Sequence, residues 1–514
     1  MNLSKSYQDL MSACSHRMMV LAGDLGSAFR VLGLTEKDYR GSLFKDSYVP
    51  LLGNDEVLSL TDPDRVKSIQ REFLEAGADL VVANSRNANA FCQSRFRLEN
   101  MAYDMAKAAA AVACDAIKDY SQNLSLQGHF VQRKFVVGWV GATSKIFEEK
   151  SFAECVKTFA LQIGGLLDGG ADILWIESVF NSVVGKAALY AALKECERRG
   201  ELFPIMVTKK VTDERGLLLA PHAVKSMWYG LSSYPLFSVG VDCGESDGLD
   251  FSPVRELDEA HVRTSCLLNG SQLDSFFKEC EQSNRLPLNI VGGVSGILPE
   301  NVRQLSRWLR GTKPRNIPAN EGCLRLCGLD PVEVRRDQDV VQISENLWSA
   351  SLVENAGKIT RVNLDETSMG LDMMKEIRGP ILIQSRHWEK LVQAMGTLPG
   401  KGIASSISLR DGERMFLAKA KEIQRHGFAI CCSPVDERGP ALSGADQCSV
   451  FDRMYKLLVG QLELQPTEIL FDPVVYTLGF GEDQYQIFAD ELRKITNFVK
   501  KNLPSAHVMG KKPC

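Results

Sequence analysis

The sequence predicts an α/β fold built from two (β/α)₈ barrels in tandem, the second shortened at its C-terminal end. Three observations carry this expectation. The chain has 514 residues, more than one hydrophobic core sustains at roughly 100 to 250 residues per domain. Apolar strand-length runs alternate with amphipathic helix-length segments, the signature of βα units around a parallel sheet. After a polar stretch rich in proline and glycine, the same alternation begins again.

In the first half the runs are Met18–Gly23, Ala78–Ser85, Phe135–Gly141, Ala171–Ser178, Phe203–Lys210, Phe237–Cys243, Val262–Asn269 and Leu288–Val294. Eight of them, most followed by a helical segment such as 152–167 or 271–281, fit a closed barrel better than an open doubly wound sheet. Continuous apolar character in "VVGWVG" and "ILWIES" fits strands buried on both faces. The stretch "RGTKPRNIPANEG" reads as the crossing between domains, which puts the boundary near residue 325 and gives domains 1–325 and 326–514.

The second series is Val340–Asn346, Ile359–Glu366, Pro380–Arg386, Gly402–Leu409, Phe428–Asp436, Glu468–Val475 and His507–Gly510. With seven strands the second barrel is expected to stay open, exposing unpaired backbone groups that invite a second copy of the chain or a protein partner. Only a stub of helix fits between residues 347 and 358, because a right-handed crossover needs about a dozen residues or more.

Composition excludes some function classes. A net charge of −4 and a charged fraction of 24% are ordinary for a globular chain, and the short basic runs are interleaved with acidic residues, so neither nucleic acid nor a membrane surface is an expected partner. No apolar run approaches the roughly 18 residues that span a bilayer, and "MNLSKSYQDLMSACSHRMMVLAG" lacks a secretory core, so a cytoplasmic location is expected. Fourteen cysteines at irregular spacing read as reduced, mostly packed thiols rather than a disulfide framework.

The segments "RMMVLAGDLGSAF", "DYRGSLFKD", "LEAGADLVVANS", "DGGADILWIESVFNSVVGKAA", "FPIMV" and "LNIVGGVSG" resemble, in order, the homocysteine-binding domain of cobalamin-dependent methionine synthases. The series "GLDPVEV", "GKGIASSISLRDG", "VDERGPA" and "EILFDPVVYTLGFG" resembles the folate-binding barrel of the same family. The resemblance covers nearly the whole chain. It implies a first barrel that binds homocysteine through zinc held by three cysteine thiolates, since a metal-bound thiol is deprotonated outright. It also implies a second barrel that binds a pterin.

Residue by residue, the resemblance makes Cys243 in "GVDCGES" the counterpart of one zinc ligand, while Val294 and Ser295 in "VGGVSGI" stand where the other two would be. Neither is a soft ligand, and one thiolate cannot hold the ion. Glu177 matches the acidic residue facing the homocysteine amine, and Asn84 persists in "VANSR". Ala22 replaces the first-strand aspartate, and Arg86 replaces an aromatic residue, changing volume and field at the pocket mouth. Among substitute ligands, Cys266 and His261 have no ligand-like spacing to Cys243. Cys431 and Cys432 should face opposite ways along a strand, and Cys323 and Cys327 could meet across one helical turn without completing a tetrahedral site.

In the second half the resemblance assigns pterin-type contacts to Glu345, Asn363, Asp365 and Asp472, with Gln384, Ser405 and Val474 replacing other family residues. Each lost polar pairing costs about 1–3 kcal/mol. A corrinoid-ligating Asp-x-His-x-x-Gly, a P-loop and a Gly-x-Gly-x-x-Gly are missing from the sequence. The resulting expectation is a methionine synthase-like member of the homocysteine S-methyltransferase family with impaired chemistry, a pseudoenzyme kept as a binding or scaffold module. No tightly bound cofactor and no cobalamin domain are expected, and homocysteine or a folate would be a weak ligand at most. The alternative is an active homocysteine S-methyltransferase with a rearranged metal site, which would need zinc and a folate or corrinoid methyl donor. A further alternative is an incomplete product of a longer gene.

Overall fold

A computed structural model describes residues 1–141, 150–177, 183–211, 222–244, 251–283, 288–293, 296–320, 322–335, 341–344, 358–367, 370–375, 377–474 and 482–510. The chain divides into two compact units, Met1–Val224 with Leu236–Pro318, and Lys225–Pro235 with Ala319–Cys514. The division thus falls at residue 318 rather than near 325, and an excursion of eleven residues from the first half belongs to the second unit. Hydrogen bonds explain that membership: the Tyr229 hydroxyl donates to Glu333 at 2.9 Å, and the Tyr234 hydroxyl donates to the Arg425 carbonyl at 3.3 Å.

In the first unit, eight parallel strands close into a barrel: β1 (Met19–Leu21), β2 (Leu80–Val82), β3 (Phe135–Gly141), β4 (Ile173–Glu177), β5 (Ile205–Lys210), β6 (Ser238–Asp242), β7 (Arg263–Leu268) and β8 (Ile290–Gly293). Each lies within a run read from the sequence. Their near-total burial explains why the runs are continuous rather than alternating in polarity. Helices cover the outside, among them α1 (Leu25–Leu32), α2 (Pro63–Ala76), α3 (Ala102–Leu126), α4 (Phe152–Asp168) and α5 (Val183–Arg199). Their starts are written locally: the Asp24 side chain accepts from the Gly26 N–H, and Ser151 forms a reciprocal capping box with Glu154, a pattern that satisfies otherwise orphaned amides.

Register decides which side chains face the barrel axis. Trp139 is opposite Trp175, Glu177 opposite Thr208, Thr208 opposite Gly240, and Lys210 opposite Asp242. Partners across parallel strands share a face. Trp139 and Trp175 stack with centroids 4.6 Å apart at 10°, and the Trp175 indole donates to Thr208 Oγ1 at 2.9 Å. Gly240 is required by the same crowding, since a Cβ there would lie 2.0 Å from Ser265 Oγ.

The second unit corrects one expectation. Its seven parallel strands, β9 (Val341–Ser344), β10 (Ile359–Asn363), β11 (Ile381–Gln384), β12 (Ile403–Ile407), β13 (Ala429–Cys432), β14 (Ile469–Phe471) and β15 (His507–Gly510), close on themselves. β15 pairs directly with β9, Val341 opposite Met509 and Gln342 opposite Gly510, so the open edge inferred from a count of seven does not exist. The motive it gave for a partner covering that edge disappears with it. Closure is possible because every strand supplies a side chain to one narrow interior: Val341, Ile359, Leu382, Ile403, Ala429 with Cys431, Leu470 and Met509. The hairpin Leu324–Cys327/Pro331–Val334 adds Leu324, Leu326 and Val334. Cys327 is therefore in a strand and not in a helical turn with Cys323. Cys431 joins the interior cluster and Cys432 the outer one, as strand alternation requires.

His507 opens β15 with 5% exposure, and its Nε2 has no hydrogen-bond partner among the described residues. Burial pushes its pKa from 6.5 down to about 4. In that window the unfolded chain binds a proton that the folded chain does not, so stability rises with pH there and falls on acidification. Urea titrations of the parent and of His507→Phe between pH 7 and 4.5 should show the parent losing more stability than the variant. Parallel losses would mean that the imidazole is not kept neutral. No helix among the described residues is long and apolar enough to cross a membrane.

Candidate functional site

The C-terminal ends of β1 to β4 in the first unit, with the loops that follow them, carry a cluster of polar side chains. Functional groups collect at that end of a barrel because the βα loops there vary freely over a rigid sheet. Glu177, the last residue of β4, is 4% exposed. Its carboxylate accepts two hydrogen bonds from Arg86, Nε at 2.7 Å and Nη2 at 3.0 Å, and a third from the Trp139 indole at 3.0 Å. The guanidinium also lies over the Trp139 ring, 5.2 Å from its centroid. Burial lowers the Arg86 pKa, but the adjoining Glu177 charge outweighs it and holds the guanidinium above its ordinary range. The fork geometry is the strong, bidentate form of an arginine–carboxylate pair.

Beside this pair is a cavity of about 100 Å³ whose lining includes Asp24, Asp55, Glu56, Asn84, Arg86 and Trp139. Burial pushes Glu56 up to about 7, against the hydrogen bond it accepts from the Asn87 N–H. Asp55 is also raised by burial, although the Tyr39 hydroxyl donates to it at 2.7 Å. Asn84 is buried with its amide donating to the Asp55 carbonyl at 2.6 Å, so it braces the loop that carries the acids. On the facing side of the barrel, burial pushes Asp242 up to about 6, with Glu177 adding to the rise and the Gly244 N–H opposing it.

Cys243 follows β6 and is 3% exposed. Its sulfur lies 3.6 Å from that of Cys266 on β7, so it is packed beside a second thiol and does not line the cavity. Glu177, Asn84 and Cys243 thus lie at one end of the barrel, each with a different partner: Arg86, the Asp55 carbonyl and Cys266. Val294 and Ser295 lie outside the described residues. Among the described residues no group of three or more His, Cys, Asp or Glu side chains is placed to hold a metal ion. The donor chemistry falls short of zinc: Cys243 with Cys266 beside it makes two thiols, and an aliphatic side chain and a hydroxyl at the other matched positions do not complete a tetrahedral soft site.

In the second unit, Asn363 ends β10, Asp365 follows it, and they come together with the end of β11. The Asn363 side chain accepts from the Asp365 N–H at 3.1 Å. Asp365 accepts from Ser385 Oγ at 2.9 Å, the Arg386 N–H at 2.7 Å and Lys390 Nζ at 3.4 Å. These donors, the Arg386 amide foremost, hold its carboxyl down at about 2. The carboxylate is thus committed to the loop after β11. Asp472 follows β14 with its N–H bonded to the Cys432 carbonyl at 2.9 Å, and the Val474 backbone N–H is taken by Gln447 at 3.2 Å. Glu345 lies outside the described residues. At the matched position Asp365, the carboxylate's donors come from the loop after β11 and the helix that follows it, which leaves it little capacity for a pterin.

Arg86 is legible in the sequence as a change of volume and charge but not as the counterion of Glu177, which lies 91 positions away. Glu56 and Asp55 stand outside the residues that carry the family resemblance. The one local signal for Asp242 was its place beside Cys243.

A family model described as homocysteine S-methyltransferase matches residues 19–309. Among solved structures, the chain is similar to the oxidized form of the homocysteine methyltransferase MmuM from Escherichia coli at 15% identity, covering 59% of this chain and 99% of that one with a TM-score of 0.46. For the metallated form of the same protein the values are 16%, 58%, 99% and 0.46. The family match spans more than half of the chain and coincides with the closed eight-stranded barrel; the chain belongs to the homocysteine S-methyltransferase family.

Proposed function

We propose that this protein is a methionine synthase-like member of the homocysteine S-methyltransferase family that no longer transfers methyl groups and acts as a binding or scaffold module. The observation that carries the reading is the Arg86–Glu177 pair. The carboxylate matched to the family's amine acceptor is already engaged at 2.7 Å and 3.0 Å by a cation from the chain itself. A substrate ammonium would have to displace a bidentate guanidinium from a largely buried partner, forfeiting about as much as it gains. Val294 and Ser295 at the matched zinc positions, and the self-satisfied Asp365 at the matched pterin position, support the same reading.

On this reading zinc, folate and cobalamin are not resident cofactors, and homocysteine or a folate binds weakly. The protein works in the cytoplasm, and a scaffold role implies a protein partner or a second copy held at some surface other than a barrel edge, since both barrels are closed.

The test is direct. Purified protein expressed with zinc supplementation should contain well under one zinc per chain by plasma mass spectrometry, and should form no methionine from homocysteine with methyl-folate, methylcobalamin or S-methylmethionine. Stoichiometric zinc together with turnover on any of these donors would overturn the proposal.

A further inference from the structure

We propose that Cys243 and Cys266 form an oxidative modification site, a buried dithiol that hydrogen peroxide converts into an intrachain disulfide. The two sulfurs are 3.6 Å apart, and the residues are 3% and 0% exposed. They lie on hydrogen-bonded neighbours: Val241 is opposite Cys266, and the Cys243 N–H donates to the Leu267 carbonyl at 2.9 Å. Cys243 is two residues beyond Val241 and so shares the face on which Cys266 lies. Cys243 is staggered from Cys266 by two residues, so reaching a bond length of about 2.05 Å asks the sulfurs to approach by about 1.5 Å, with the strand end at Cys243 shifting along with the two side chains.

Other close sulfur geometry in the described chain does not offer this reaction. Cys431 meets the Met509 thioether at 3.1 Å, and a thioether has no S–H to lose. Cys431 and Cys432 belong to different faces of their sheet.

The chemistry balances with one equivalent of peroxide. The Cys243 thiolate, at the strand end and the more exposed of the two, attacks a peroxide oxygen. The O–O bond breaks, giving Cys243 sulfenic acid and, after protonation, water. The Cys266 sulfur then attacks the Cys243 sulfur, the S–S bond forms, the S–O bond breaks, and a second water leaves with the Cys266 proton. Two thiols lose two electrons in all, and the peroxide gains them. The bond would close the loop over residues 244–265, which contains the helical turn Ser252–Arg255 with Pro253 and Val254 buried, and would hold the ends of β6 and β7 together beside Asp242. Cross-linking of this kind stabilises chiefly by restricting the unfolded chain.

The full-length reduced protein is to be treated with hydrogen peroxide, alkylated, digested and read by peptide mass spectrometry. A peptide pair joined through Cys243 and Cys266, two hydrogens lighter than the separate peptides, is expected, with a raised thermal transition that dithiothreitol reverses. In Cys266→Ala neither should occur, and Cys243 should instead be trapped by dimedone as the sulfenic acid. If that variant does not fold, the parent's peptide map decides alone. Equal alkylation of both thiols before and after peroxide, or the cross-link only in urea-unfolded chain, would overturn the proposal. Because the readout is a covalent bond in purified protein, it is independent of the function proposed above.

Discussion

Replacing Lys401 with methionine is expected to destabilise the second unit by roughly 3–5 kcal/mol, the cost of leaving one member of a buried ion pair alone. Lys401 is 0% exposed and its ammonium donates to Glu468 at 2.7 Å and to Ser232 Oγ at 3.0 Å. Glu468 is 3% exposed, and its second oxygen has no hydrogen-bond partner among the described residues, so loss of the lysine strands the carboxylate away from water. Burial pushes the Lys401 pKa below its ordinary value, with the attraction of Glu468 opposing it. The pair is therefore costly to bury even when intact, and removing both charges should be far milder than removing one. Chemical denaturation of Lys401→Met, Glu468→Leu and the double variant tests this as a cycle: a large single loss largely recovered in the double is the expected pattern. A loss below about 1 kcal/mol in Lys401→Met would mean that the carboxylate finds water or another donor.

Arg86→Ala should cost the first unit about 2 kcal/mol, less than a fully buried pair because the Arg86 side chain is 42% exposed. The penalty falls on Glu177, which is 5% exposed on its side chain and among the described residues keeps the Trp139 indole as its remaining side-chain donor. Arg86→Lys should recover little, since an ammonium cannot reproduce the two-pronged contact. Glu177→Gln should be the gentler change, under about 1 kcal/mol, because the arginine it leaves behind can reach solvent. The same substitution tests the proposed function. With its acceptor vacated, Arg86→Ala should gain a thermal shift with homocysteine that the parent lacks, because a ligand that binds only the folded state raises its apparent stability. A homocysteine-dependent shift in the parent equal to that of the variant would remove the idea that Arg86 occupies the amine position.

Much of the scaffold was legible along the chain. All fifteen barrel strands fall within runs picked out by apolar character alone, since a strand covered on both faces must be written in Val, Ile, Leu and small residues. The opposite facing of Cys431 and Cys432 followed from strand periodicity. The helix starts at Asp24 and Ser151 are local for the same reason: a cap is made by residues two or three positions apart. Substitutions at the matched metal positions are also facts of sequence.

What the sequence alone determined, then, is the order and burial of the strands and the chemical identity of the groups at their ends. Only the tertiary structure decided that seven strands suffice for closure, because β15 meets β9 through pairing between residues some 170 positions apart. It also decided that Glu177 belongs to Arg86, that Asp365 is spent on the loop after β11, and that Cys243 rests against Cys266. The physical reason is common to these cases: hydrogen bonds and ion pairs act over about 3 Å in space, whereas the periodicities that reveal strands and helices act over a few residues in sequence.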